Sequence, residues 1–523
     1  MNRPATGHAL NWIVPGLVGL IGAARLLFLH RLPDRLLVRH IPDDAFYYLV
    51  MGRNFALTGR WTFDGVEPAS GFHLLWGYLL AAMYRVAPAI SLHGALFFAG
   101  ITDIACVTLA AWLAARTAIR LFGEGAQTGV AVVMLSAVAL VWDVNLMETA
   151  PVLLASAAVL SCLCRTDGLD SPGRLAGAVG LGLFGMLARS DFGMLPLCLF
   201  AMHVVMLWRG LSSRATVRLA AAVLVGSVAG LAVVFLHTHW ISAEWLQSSA
   251  QEKLLWSRFR GFSTEPARQL LWRFFSLLEN SEVISRRKLA LANAVSWGVL
   301  VALSLGLAMK VRQGDRAARA IVGGLCCTLA AYVLFYRYNS DELQPWYVAN
   351  LEIPVAVLGG GGAAWLLQRQ HVLTLAVAGA MCASGIAFSF EPPFTFQAGL
   401  YGGAEYVALH PELRPVGAWN AGIISYFGGG AATNLDGLVN DRILPYSTAG
   451  TLGAYVQRRQ IRTIVDFGIW LSPVLATRRG DAQLELARCV DEQPMKLGVG
   501  RPGADYPVQL FVVRPNCPAA QVK

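Results

Sequence analysis

Charge is what this chain has least of. Only 14% of its 523 residues are Asp, Glu, Lys or Arg, against 56% hydrophobic, whereas a soluble domain is about a quarter charged. That balance excludes an ordinary soluble protein and implies a polytopic membrane one. The net charge of +10 does not indicate nucleic acid as a partner, because the arginines fall in short clusters between apolar runs, the distribution of cytoplasmic loops. Metal motifs are missing as well. None of the ten histidines stands in an H-E-x-x-H pattern, and the Cys326-Cys327 and Cys162-x-Cys164 spacings lack the further ligands of a zinc site. Together with Cys106, Cys198 and Cys382 these cysteines lie in apolar segments, where they pack as small hydrophobes. No structural zinc is expected. There is no repeat of about 20–50 residues and no pair of halves in inverted topology, the usual sign of a secondary transporter. The run 10–29 has no small-x-small cleavage site and reads as an uncleaved first helix.

Long apolar runs are what is present. Spanning a hydrocarbon core takes about 20 residues, and eleven candidate runs lie near 10–30, 96–119, 126–144, 147–165, 175–190, 192–209, 218–238, 290–310, 317–336, 346–368 and 371–389. The run 72–88 is also apolar. Counting it as a span inverts every later loop against the positive-inside rule, so it is expected as an interfacial or re-entrant helix. Arg116/Arg120, Arg165/Arg174, Arg209/Arg214/Arg218, Lys310/Arg312/Arg316/Arg319 and Arg369 then share the cytoplasmic side with the N-terminus. The expected place is a cytoplasmic membrane. Residues 31–95 form the first extracytoplasmic loop within a membrane domain 1–389, and 390–523 form an extracytoplasmic domain.

In that last portion hydropathy falls and β-branched runs (Ile423-Ile424, 463–465, 510–513) alternate with helical stretches such as 450–459, the pattern of a small α/β domain. Its Gly422 to Gly437 region does not keep a G-x-G-x-x-G spacing and reads as glycine-permitted turns rather than a dinucleotide loop. No nucleotide cofactor is expected. Cys489 and Cys517, the two cysteines of this portion, face an oxidising compartment, which favours a disulfide between them.

Nearly all the chemistry-bearing polar residues fall in the outer segments. Asp43 and Asp44 stand side by side just beyond the first span, and paired acids beside lipid are a functional-site signal. The plainer reading is that Asp44 caps the following helix and Asp43 favours its dipole. A reaction on this face calls for a lipid-borne substrate, and a polyprenyl-phosphate sugar fits. Transfer from it needs a carboxylate to take the acceptor's hydroxyl proton and a cation to neutralise the departing phosphate. Asp43 or Asp44 supplies the first. Arg189 supplies the second through its bidentate fork, unless it merely pairs with Asp191. Asp43, Asp44 and Glu148 can alternatively hold a divalent ion (Mg, Mn or Ca) that clamps the phosphate. Tyr47, Trp346 and Tyr347 suit stacking on a sugar or prenyl chain, or an ordinary interfacial belt. His73 is a weaker candidate.

The order Asp43-Asp44-Ala45-Phe46-Tyr47-Tyr48, Asn54, Thr62-Phe63-Asp64-Gly65 and Gly71-Phe72-His73-Leu74-Leu75-Trp76 after one helix resembles the bacterial GT-C glycosyltransferases that use polyprenyl-phosphate sugars. That group includes protein O-mannosyltransferases, aminoarabinose transferases and arabinofuranosyltransferases. Leu146-Met147-Glu148-Thr149, Leu187-Ala188-Arg189-Ser190-Asp191, Gln344-Pro345-Trp346-Tyr347 and Asn434-Leu435-Asp436-Gly437-Leu438-Val439-Asn440 are similar to patterns in the same group. The resemblance implies a first-loop acid as catalytic base, mapping to Asp43 with Asp44 as runner-up. It also implies a glycan, lipid or protein acceptor and donor contacts among Glu148, Arg189, Asp191, Gln344, Trp346 and Tyr347. One departure is visible: Leu74 replaces the proline usual before Leu-Trp, which alters the helix entry. Against this glycosyltransferase reading stand a lipid or glycan transporter and a non-enzymatic envelope assembly protein. A transporter would place charges along a mid-span path, and an assembly protein has no need of paired acids.

Overall fold

A backbone in hydrocarbon must satisfy its polar groups internally, so apolar runs fold as helices. The computed structural model describes residues 12–142, 144–164, 171–260, 274, 286–313, 316–339, 345–430, 432–471, 482–491, 495–497 and 507–515. The helices begin with α1 Ile13–His30, α2 Asp34–Leu37, α3 Asp43–Thr58, α4 Leu74–Val86, α5 Leu92–Phe122, α6 Ala126–Met134 and α7 Ala137–Trp142. They continue as α8 Thr149–Leu163, α9 Pro172–Ala188, α10 Met194–Trp208, α11 Arg214–Ser242, α12 Ser248–Arg260, α13 Arg286–Gln313 and α14 Arg316–Asn339. A 3₁₀ turn, Pro345–Val348, leads into α15 Ala349–Leu367, followed by α16 His371–Phe388.

Among the described residues, seven helices (α1, α5, α11, α13, α14, α15 and α16) are long and apolar enough to cross a membrane. The chain is a polytopic membrane protein. The other four expected spans are shorter. The run 126–144 breaks at Leu135-Ser136 into α6 and α7, while α8, α9 and α10 have 15, 17 and 15 residues. Most of α8 is buried, so packing against neighbouring helices rather than the width of the lipid core limits its length. The run 72–88 forms the 13-residue α4, too short to span. Small residues let α9 and α11 meet backbone to backbone: a Cβ on Gly182 would stand 2.0 Å from Val223 O, and one on Gly226 1.9 Å from Val179 O.

After α17 Gln397–Leu409 comes a five-stranded sheet made of β1 Val416–Ala418, β2 Ala432–Asn434, β3 Thr463–Phe467, β4 Met495–Lys496 and β5 Val508–Val512. Its order is β2-β1-β3-β5-β4, with β1 parallel to β2 and β3, and β5 antiparallel to β3 and β4. Between strands lie α18 Ala421–Phe427, α19 Leu444–Ala449, α20 Leu452–Arg458 and α21 Ala482–Ala487. The α/β character expected from residue 390 onward is present, with strands at 463–467 and 508–512. Ile423-Ile424 is not a strand. It sits in α18, whose buried side packs on α3, so a short buried helix has the same apolar signature as a strand. Gly429, Gly430 and Gly437 have φ of 79°, 75° and 80°, the turn conformations anticipated for that loop. Cys489 is disulfide-bonded; Cys517 lies outside the described residues.

Candidate functional site

Helix α3 has two working faces, set by the i, i+4 spacing that stacks side chains on one side of a helix. One face carries Asp43 and Tyr47. The Asp43 carboxylate accepts from Gly422 N at 3.1 Å and Ile423 N at 2.7 Å, capping α18. Tyr47 Oη donates to Trp419 O at 2.8 Å and accepts from Ala421 N at 3.3 Å. The other face carries Asp44, Tyr48 and Met51, and these line a cavity of about 270 Å³. Tyr47 reaches the cavity edge. Asp43 does not line it; Asp44 does, half-buried.

Opposite α3, the turn after α7 and the turn after α9 deliver three charged groups. Leu146 adopts φ 64°, costly for a leucine. The turn is held by Asn145 Oδ1 accepting from Met147 N at 3.0 Å and by Trp76 Nε1 donating to Leu146 O at 2.8 Å. The result is Glu148 buried in the wall, with Oε2 accepting from Tyr48 Oη at 2.9 Å and Oε1 3.5 Å from His73 Nε2 and 3.3 Å from Arg189 Nη1. Arg189 is only 3% exposed. Its Nε and Nη2 fork onto Asp191 at 3.1 and 3.2 Å, and Nη1 also donates to Trp346 O at 2.8 Å. Asp191 further accepts from Asn350 Nδ2 at 2.6 Å and from Tyr336 Oη. Burial pushes the Asp191 carboxyl up, but Arg189 and these hydrogen bonds outweigh it and hold it below its usual value. Burial also lowers the His73 imidazole, which favours its neutral form.

The cavity has a cation that the sequence reading passed over. Lys253 of α12 lines it, with Nζ 4.6 Å from the Tyr347 ring centroid. Burial acts to lower its ammonium, but Tyr347 and the negative charge of Asp44 win and hold it above its ordinary value. A lone lysine in a polar outer loop carries no motif, so only the fold brings it to Asp44. What seats α12 is a three-way joint. Gln247 Nε2 donates to Ser70 O and Phe72 O at 3.2 and 2.5 Å, Ser248 Oγ donates to Leu438 O at 2.9 Å, and Ser70 Oγ donates to Asp441 at 2.5 Å. Only glycine fits at the crossing. A Cβ on Gly71 would lie 1.6 Å from Leu438 O.

Of the residues singled out from sequence, Asp44, Tyr47, His73, Glu148, Arg189, Asp191, Trp346 and Tyr347 meet in this cavity. Gln344 lies outside the described residues. Asp64 serves elsewhere: its Oδ1 accepts from Val66 N and Glu67 N, each at 2.9 Å, and Oδ2 pairs with Arg459 at 2.8 Å. As a metal set Asp43, Asp44 and Glu148 do not fit. Asp43 is committed to α18 and Glu148 to Tyr48, Arg189 and His73, and among the described residues no three His, Cys, Asp or Glu side chains gather as a metal requires.

Three carboxyls that hold the sheet portion together and to the first loop are raised by burial: Asp43 to about 8, Asp441 to about 6 and Asp466 to about 6. In each case hydrogen bonds to the carboxylate oppose the shift without cancelling it. A folded-state pKa above the unfolded value of about 4 means the folded chain holds protons that the unfolded chain has released. The stabilisation is complete below about pH 4 and is lost as pH rises, through about 6 for Asp441 and Asp466 and about 8 for Asp43. Thermal unfolding in detergent should therefore show stability falling from pH 5 to pH 8.5. Asp43→Asn should flatten the upper part of that decline; an unchanged slope in the variant removes Asp43 as its source.

No protein-family profile matches the sequence, and no curated protein matches it. Solved structures do. ArnT from Cupriavidus metallidurans bound to undecaprenyl phosphate superposes with TM-score 0.52 at 14% identity, covering 95% of this chain and 98% of that one. The oligosaccharyltransferase of Archaeoglobus fulgidus in complex with zinc and sulfate gives 0.58 at 12% identity, over 95% and 72%. The oligosaccharyltransferase AglB of that organism with an inhibitory peptide and a dolichol-phosphate gives 0.54 at 10%, over 91% and 72%. At these identities the likeness is one of fold alone, shared along nearly the whole chain with these membrane proteins.

Proposed function

We propose that this chain moves a sugar from a polyprenyl-phosphate donor to a hydroxyl of a glycan, lipid or protein acceptor at the outer face of a bacterial inner membrane. The N-terminus is then cytoplasmic and the portion from residue 390 extracytoplasmic. The observation that carries this reading is the meeting of Asp44 and Lys253 across one cavity, a carboxylate and an ammonium on separate elements. The neighbours of the same fold were crystallised with undecaprenyl phosphate and with a dolichol-phosphate, which supports the same class of donor here.

Asp44 is the proposed base. The acceptor oxygen attacks the anomeric carbon, its proton passes to the Asp44 carboxylate, and the bond from that carbon to the phosphate oxygen breaks, the oxygen keeping the electron pair. Lys253 is the proposed counter-charge for that departing phosphate, since the Arg189 fork is already spent on Asp191 and its Nη1 on Glu148 and Trp346 O. Arg189, Asp191 and Glu148 then shape the wall, with His73, Tyr47, Trp346 and Tyr347 beside the sugar. No step is assigned to a divalent ion.

Incubating the purified protein with labelled donor tests the reaction. Release of polyprenyl phosphate that depends on an acceptor supports it, and intact donor with every acceptor class sinks it. Lys253→Gln removes a charge-assisted contact, so donor affinity should fall about 10–100-fold, and kcat should fall too because the phosphate charge grows as the bond breaks. Unchanged donor affinity would move the phosphate away from Lys253.

A further inference from the structure

A second hollow, a groove of about 280 Å³, shares no lining residue with the cavity of Asp44. Its walls are α13 over residues 295–303 and α16 over 373–381, and its floor is α6 and α15. Both wall helices flank the floor without packing closely on one another, so the groove is the gap between them. Eight residues of helix rise about 12 Å, close to the roughly 15 Å of hydrocarbon in one leaflet. The lining is apolar except for Thr128, Gln370 and Thr374, and Gln370 stands in the turn joining α15 to α16. The exposed Arg369 is in that turn too, its guanidinium 4.7 Å from the Trp365 ring centroid, a pairing suited to headgroup depth.

We infer that this groove binds one acyl chain of an anionic phospholipid, whose phosphate meets Arg369. The inference does not rest on the transfer reaction. A partner helix, about 10 Å across, needs several times this volume. The donor's own chain is disfavoured by distance: Trp346 and Tyr347, in the cavity, precede α15, and Leu366, in the groove, lies near its end. Along a helix that separation is about 27 Å, most of the hydrocarbon core, so the groove's polar end faces the opposite leaflet. The basic clusters assigned to that leaflet supply charge complementarity for an acidic headgroup.

Gly298 makes the groove testable, because a Cβ there meets nothing within 4 Å. Gly298→Leu should fill the space without a clash, and Thr374→Phe fills it from the opposite wall. Native mass spectrometry of the full chain in detergent, titrated with phosphatidylglycerol and phosphatidylcholine of equal chain length and separately with polyprenyl phosphate, reads the occupancy. Wild type should hold phosphatidylglycerol in preference, both filling variants should lose it, and Arg369→Gln should weaken it roughly fivefold, the share of one basic residue at a membrane surface. Donor affinity at the Asp44 cavity should stay unchanged in the filling variants, which also reports that they fold. Equal retention by wild type and both filling variants, equal affinity for both phospholipids, or displacement by polyprenyl phosphate each overturns the assignment.

Discussion

Asp44→Asn is expected to slow sugar transfer about 10²–10⁴-fold, the usual contribution of a positioned base, while donor binding and folding persist. The amide keeps the size of the side chain and cannot take a proton. Asp43→Asn is its control and should behave in the opposite way. Asp43 accepts from two backbone N–H groups of α18, and an asparagine can accept only one while turning an amine toward the other. Below about pH 4, where Asp43 is protonated in both states, that costs about 1–2 kcal/mol of stability. The difference narrows as pH rises and wild type loses the stabilisation that its raised pKa confers. Turnover stays within a few-fold of wild type. Measuring turnover, donor affinity and unfolding on both variants separates the roles. A dead Asp43 variant beside an active Asp44 variant would transfer the base to Asp43 and remove the present assignment.

Removing the Arg189 guanidinium should be the most damaging change to stability. Arg189→Met strands the buried Glu148 and part-buried Asp191 carboxylates without their shared cation, and breaking a buried pair in this way costs about 3–5 kcal/mol. Arg189→Lys should not rescue it, because an ammonium cannot reproduce the fork across both Asp191 oxygens while also reaching Trp346 O. Adding Asp191→Asn to Arg189→Met should recover part of the loss, since one of the stranded charges is then gone. If Arg189 acts on the donor alone, Arg189→Met would melt at the wild-type temperature and lose only donor affinity. Unfolding curves of the three variants in one detergent decide between these outcomes.

The legible part of the fold was whatever hydropathy and loop charge encode. Low charge and long apolar runs gave a polytopic helical protein, and the drop in hydropathy after residue 390 gave an α/β portion. Boundaries set by packing were not legible: nothing local announces that 126–144 breaks at Leu135-Ser136, or that Ile423-Ile424 is helical because it packs on α3. For the candidate site, the i, i+4 rule already divides Asp43 and Tyr47 from Asp44 and Tyr48. Which pair faces the cavity depends on α18, some 380 residues later, and no spacing within the first loop encodes that. Lys253 was missed for the same reason. Its meaning comes from Tyr347 and Asp44, neither near it in sequence.

The tie between Asp43 and α18 also bears on how the protein is made. The first loop emerges early in synthesis, yet the groups that orient α3 belong to residues 419–423. Until those residues arrive, Asp43 and Tyr47 have no docking partners, and the helix that presents Asp44 is held from one side only. A nascent or prematurely terminated chain therefore has its spans but not an aligned carboxylate. Alignment of Asp44 is withheld until the chain has passed residue 423.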